Sequence, residues 1–68
     1  MWYENVEYKS PILRFFRYNH LTGKAHGTSK PFMELALKME TSLPAGPEKS
    51  AGLRKLLEAK DCMVRAAL

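Results

Sequence analysis

Between residues 8 and 33 this chain has no acidic side chain. Lys9, Arg14, Arg17, Lys24 and Lys30 fall in that stretch, together with His20 and His26 and the rings of Phe15, Phe16 and Tyr18. Cysteine is nearly absent as well. Cys62 stands alone, so an internal disulfide is excluded, and one cysteine with two histidines is a poor metal set. No apolar run approaches the ~20 residues that span a bilayer. The opening Met1-Trp2-Tyr3-Glu4 lacks the basic start and apolar run of a signal peptide. A soluble protein of a reducing compartment is therefore expected.

Length sets the next bound. Sixty-eight residues make one small domain with a marginal core. With neither disulfide nor metal, self-association is the expected source of further burial. The hydrophobic content of 46% argues against disorder. The net charge of +4 favours anionic partners.

Periodicity predicts an all-α antiparallel helical hairpin with a short N-terminal helix or extended arm, assembling as a homo-oligomer. One domain covers residues 1–68: an N-terminal arm (1–9), a basic segment and loop (10–28) and the hairpin (29–68). Residues 1–9 alternate apolar and polar groups, as an arm or an edge strand would. Ser10-Pro11 reads as a cap and first helical position of a short helix over about residues 11–18. Ile12, Phe15 and Phe16 share one side of it. Residues 19–28 read as a loop.

Ser29 then caps the first long helix, with Pro31 in its first turn. Phe32, Leu35, Ala36, Met39 and Leu43 form its buried stripe. Glu34, Lys38 and Glu40 face away. Leu43-Pro44-Ala45-Gly46-Pro47 breaks the pattern and suits a tight antiparallel turn. The last helix starts near Pro47, with Glu48 favourably placed at the positive end. Leu53, Leu56, Leu57, Met63, Val64 and Leu68 give it a wide apolar face. Gly52, Ala59, Cys62 and Ala66 form a second stripe of small residues, open to another subunit. Asp61 is spaced to pair with Arg65.

Chemistry is sparse. Cys62 lies mid-helix, where a packed structural cysteine is expected, and no nucleophile, base and acid can be assembled. The chain is not expected to be an enzyme, and no cofactor is expected. His20 and His26 alone do not make a zinc site. Gly23-Lys24-Ala25-His26-Gly27-Thr28-Ser29 lacks the spacing of a Walker loop. It is still a cationic, hydroxyl-rich loop running into a helix N-terminus, where free N–H groups favour anions. Thr28 and Ser29 either meet an anion there or simply cap the helix. Arg14, Arg17, Lys24 and Lys30 are candidates for neutralising phosphate. Phe15 and Phe16 are expected in the core, whereas Tyr18, with its polar tip and basic neighbours, either fills the core or stacks on a base. Lys49, Ser50 and Arg54 either form a second anion cluster or a solvated helix start. Long nucleic acid is not expected, because Glu48, Glu58 and Asp61 suit a groove-facing helix poorly.

Phe16-x-Tyr18-x-His20, Leu35-Ala36, Leu43-Pro44, Glu48-Lys49-Ser50 and Leu56-Leu57-Glu58-Ala59 together resemble a family of small phage proteins. These are the anti-CBASS and anti-Thoeris sponges, which share a helical hairpin. Residues 16–21 and 53–61 also look like a paired signature of related phage hairpin proteins. The resemblance covers about residues 15–67.

It implies a homo-oligomer, a hexamer above all, in the host bacterial cytoplasm. Its pockets between protomers would sequester cyclic di- or trinucleotides or cyclic ADP-ribose isomers without cleaving them. It also implies a stacking role for Tyr18, phosphate contact by Lys24 or Lys30, and a helix-start motif at Glu48, Lys49 and Ser50. The chain departs from the family in carrying Tyr18-Asn19-His20-Leu21 where Tyr-His-Pro-Pro is common. It carries Cys62-Met63-Val64 where many sponges have Trp-Ala-Asn. The rival readings are a structural or protein-interaction hairpin without a small ligand, and a non-specific nucleic-acid binder.

Overall fold

A computed structural model describes residues 11–18 and 21–68. The arm at residues 1–9, the Ser10 cap and His20 lie outside the described residues. Those described form three helical elements in order: a 3-10 helix at Pro11–Phe16, helix α1 at Gly23–Ser42 and helix α2 at Pro47–Ala67. The two long helices pack against each other, and the 3-10 helix packs on both. The all-helical hairpin matches the sequence reading, and its second helix begins at the expected Pro47.

The first long helix begins earlier than expected. Thr22, in extended conformation, takes the N-cap position at φ −129° and ψ 160°, and residues 23–28 are helical rather than loop. The helical pattern there was hidden because its buried positions carry the small residues Ala25 and Ser29. Gly23 opens the helix at φ 61°, a left-handed conformation costly for any residue with a Cβ. Pro31 is consequently inside the helix instead of in its first turn. It has no N–H to donate back to the carbonyl of Gly27, one turn earlier.

The buried face of α1 also differs. Ala25, Ser29, Met33, Ala36 and Leu37 are buried, whereas Leu35 and Leu43 are 44% and 47% exposed. At 100° per residue the true face is rotated by roughly 70° from the expected stripe. Glu40 lies on this inward side. Its carboxylate meets the Lys49 ammonium of α2 at 2.6 Å, with both side chains almost wholly buried, so it is not a solvated acid.

Lys49 also closes the C-terminal end of α1. Its Nζ donates to the carbonyls of Glu40 at 3.0 Å and Leu43 at 3.1 Å. Thr41 and Ser42 turn their hydroxyls back onto the carbonyls of Leu37 and Lys38, at 3.1 and 2.6 Å. The final carbonyls of a helix carry no intrahelical donor, and a cation there also complements the helix dipole. One lysine thus anchors the start of α2 to the end of α1 and holds the turn between them.

Within the 3-10 helix, Leu13 and Phe16 are fully buried and Phe15 is 54% exposed. The expected grouping of Phe15 with Phe16 assumed an α-helical turn. A 3-10 turn has three residues, so positions i and i+3 align and Phe15 falls outside. Leu13, Phe16 and Tyr18 join Met33, Ala36, Leu37 and Leu53 in the core. Along α2, Leu53 is buried, but Met63 is 53% and Leu68 91% exposed. Asp61 meets Lys60 at 2.9 Å, and the Arg65 guanidinium approaches the Cys62 sulfur at 3.4 Å. The Asp61–Arg65 pair expected from spacing is therefore replaced by these neighbours.

Candidate functional site

Four of the expected cations do reach the surface. Arg14, Arg17, Lys24 and Lys30 are all exposed, and none of them forms an ion pair among the described residues. The 3-10 helix presents Arg14 and the following turn presents Arg17. Lys24 projects from the first turn of α1. The Arg14 guanidinium lies 5.1 Å from the centre of the Phe15 ring, a cation–π contact at the surface.

Tyr18 is placed differently from its expected role. It is only 3% exposed, and its ring meets His26 edge-on, with centroids 4.8 Å apart and planes at 74°. Its ring is buried in the cluster of Leu13, Phe16, Met33, Ala36, Leu37 and Leu53. A base cannot stack on it in this conformation. Among the described residues, the exposed ring that lies against a cation is Phe15, beside Arg14.

The hydroxyl-bearing residues separate along α1. Thr28 is half-buried, Ser29 fully buried and Lys30 exposed, because successive residues of a helix point about 100° apart. With the helix opening at Gly23, none of the three lies at its N-terminus. Free N–H groups belong to residues near Gly23 and Lys24 instead. Ser29 Oγ has no hydrogen-bond partner among the described residues.

The group on α2 also divides. Lys49 is spent on Glu40 and the end of α1. Ser50 and Arg54 are exposed and share a shallow depression of about 370 Å³ with Pro47, Ala51, Lys55 and Glu58. Glu58 places a carboxylate beside the two cations of that depression, which weakens its pull on an anion. Pairing Ser50 with Arg54 was legible from their i,i+4 spacing. The inward turn of Lys49 was not.

A second buried lysine was missed. Lys60 is 9% exposed and occupies a run of otherwise apolar positions, Leu53, Leu57, Lys60, Val64 and Ala67, spaced four and three residues apart. That spacing was the available signal. The Glu40–Lys49 pair sets the register of the hairpin. Eleven residues back along α1 and eleven forward along α2 reach Ser29 and Lys60. Eleven residues complete about three turns, so Ser29 and Lys60 stand at the same level on the inner faces.

This level therefore carries a serine on α1 and a lysine on α2 where the other carries an ion pair; the Lys60 ammonium meets Asp61 of its own helix, and Ser29 Oγ has no partner among the described residues. Replacing Ser29 with alanine removes the orphaned oxygen and improves helix propensity. The variant is expected to be as stable as the parent or up to about 1 kcal/mol more stable in urea unfolding. A loss above that amount would mean that Ser29 Oγ makes a bond essential to the hairpin.

No helix among the described residues is long and apolar enough to cross a membrane. No group of three or more metal-ligating side chains occurs among them. No family model, curated protein or solved structure matches the chain.

Proposed function

We propose that the chain is a phage counter-defence protein of the host bacterial cytoplasm, a homo-oligomer that binds cyclic nucleotide immune signals and sequesters them without cleavage. The observation that carries this reading is that Arg14, Arg17, Lys24 and Lys30 are all exposed and form no ion pair among the described residues, with Arg14 lying against the exposed Phe15 ring. The resemblance of residues 15–67 to the sponge hairpins supports it. The cations neutralise phosphates, and Phe15 replaces the buried Tyr18 as the ring that stacks on a base. Ser50 and Arg54 supply a second, weaker contact. Phosphate contacts from several short cationic segments, brought around one small ring by symmetry, would hold the ligand without any group poised for hydrolysis.

Calorimetric titration with cyclic di- and trinucleotides and cyclic ADP-ribose isomers tests the reading. At tens of micromolar protein, at least one of them is expected to bind and to be recovered intact. Phe15→Ala is expected to weaken that ligand by roughly 5- to 150-fold, the range set by ~1–3 kcal/mol of base stacking. Tyr18→Phe is expected to change it little. Absence of heat with every member of the panel would remove the proposal. Binding only to long DNA or RNA, with a steep loss in salt, would instead favour the non-specific nucleic-acid reading.

A further inference from the structure

The apolar stripe expected to be buried on α1 is real, but the chain itself covers only part of it. Leu35 and Leu43 stay nearly half-exposed, and with Met39 they form one wall of a groove of about 290 Å³. Gly52, Leu53 and Leu56 of α2 form the other wall. From that groove a second pattern runs down α2. Gly52, Leu56, Ala59, Met63 and Ala66 are spaced four, three, four and three residues apart and fall within an arc of roughly 80°. No charge interrupts them. The neighbouring stripe through Leu53 and Lys60 faces α1; of this one, Leu56 packs against the core, while Gly52, Met63 and Ala66 are exposed. Met63 in it is 53% exposed.

The stripe alternates small and large in strict order: glycine, leucine, alanine, methionine, alanine. Gly52 has no reason within the chain to be glycine. Its φ is not positive, and an added Cβ would meet nothing within 4 Å. Glycine is among the poorest helix formers, and at this exposed helical position it leaves room for a large side chain from outside.

We propose that a second copy of this chain covers this edge, its α2 antiparallel to the first about a two-fold axis, with Met63 of each copy seated in the groove beside Gly52 of the other. The antiparallel register that sets Gly52 against Met63 also sets Leu56 against Ala59. Every large side chain then meets a small one, and the same patch serves both copies. A parallel pair would set glycine on glycine and methionine on methionine, leaving gaps beside clashes. A stable interface takes roughly 800 Å² from each partner. That is about a sixth of the 4822 Å² of accessible surface on this chain, and a continuous edge of both helices is on offer. The proposal rests on the self-association in the function above, and not on its ligand.

Light scattering without nucleotide is expected to return twice 7.8 kDa or an even multiple of it. Gly52→Leu fills the groove while favouring the helix, and Met63→Glu charges the knob. Each is expected to give a helical species of half the parental mass or less. In a Cys62→Ser background, Gly52→Cys combined with Met63→Cys is expected to oxidise to a covalent dimer. Within one helix those positions lie about 16 Å apart, far beyond disulfide reach, so the bond must join two chains.

A monomeric parent would overturn the proposal. So would an oligomer that survives both Gly52→Leu and Met63→Glu, or a Gly52→Cys chain that couples to itself as readily as the paired variant. The expected dimer in a protein that binds no cyclic nucleotide would leave this interface standing and remove the ligand reading. An oligomer indifferent to both variants, yet binding nucleotide, would do the reverse.

Discussion

Replacing Lys49 with methionine is expected to cost about 3–5 kcal/mol of unfolding free energy. Methionine keeps the length and apolar stem of lysine, so helix propensity and packing change little. What is lost is the ammonium at 2.6 Å from the Glu40 carboxylate, in a pair whose side chains are 9% and 7% exposed. Removing one member of such a pair takes from the buried carboxylate its 2.6 Å contact with the Lys49 ammonium, and losses of this size follow. The same change frees the carbonyls of Glu40 and Leu43, which Lys49 now caps.

A chain of this size has roughly 3–10 kcal/mol of total stability, so the loss is about a third of it or more. Urea unfolding followed by circular dichroism would measure the effect. A loss below about 1 kcal/mol would show that the pair is solvated and that the turn holds without it. Replacing Glu40 and Lys49 together by glutamine and methionine should recover part of the loss, because no buried charge then remains.

The second large effect separates two adjacent phenylalanines. Phe16→Ala is expected to cost about 3–5 kcal/mol, as a fully buried ring leaves a cavity among Leu13, Met33, Leu37 and Leu53. Phe15→Ala should change stability by less than about 1 kcal/mol, since the ring is more than half exposed and gives up mainly its contact with Arg14. Under the function proposed above, the same substitution weakens the ligand. Phe16→Ala would thus be a folding variant and Phe15→Ala a binding variant. Equal losses of stability in the two would contradict the structure, in which Phe16 is fully buried and Phe15 more than half exposed. Leu13→Ala should resemble Phe16→Ala, because the two share one side of the three-residue turn.

The hairpin was legible because its signals are local. Proline and glycine at residues 44–47 end one helix and start the next, and leucines at helical spacing run along both. The Ser50–Arg54 neighbourhood followed from the same spacing. The early start of α1 was not legible, since alanine and serine at its buried positions carry almost no hydrophobic signal. The exchange of roles between Tyr18 and Phe15 was not legible either. It depends on a 3-10 turn in place of an α-turn and on the packing of Tyr18 into the core.

The amino-acid order by itself determined the two long helices, the antiparallel turn and the concentration of positive charge before residue 33. Those properties come from backbone preferences and neighbours a few positions apart, which act wherever the chain lies. Only the tertiary structure decided which apolar stripe of α1 faces inward, that Phe15 rather than Tyr18 is exposed, and that Lys49 is drawn into an ion pair while Arg14, Arg17, Lys24 and Lys30 form none among the described residues. Each helix carries more apolar surface than one partner can cover. The docking of the 3-10 helix, through Leu13 and Phe16, selects the buried side. Lys49 shows the same dependence: its sequence neighbours suggest a solvated helix start, and only the return of α1 beside it brings Glu40 within 2.6 Å.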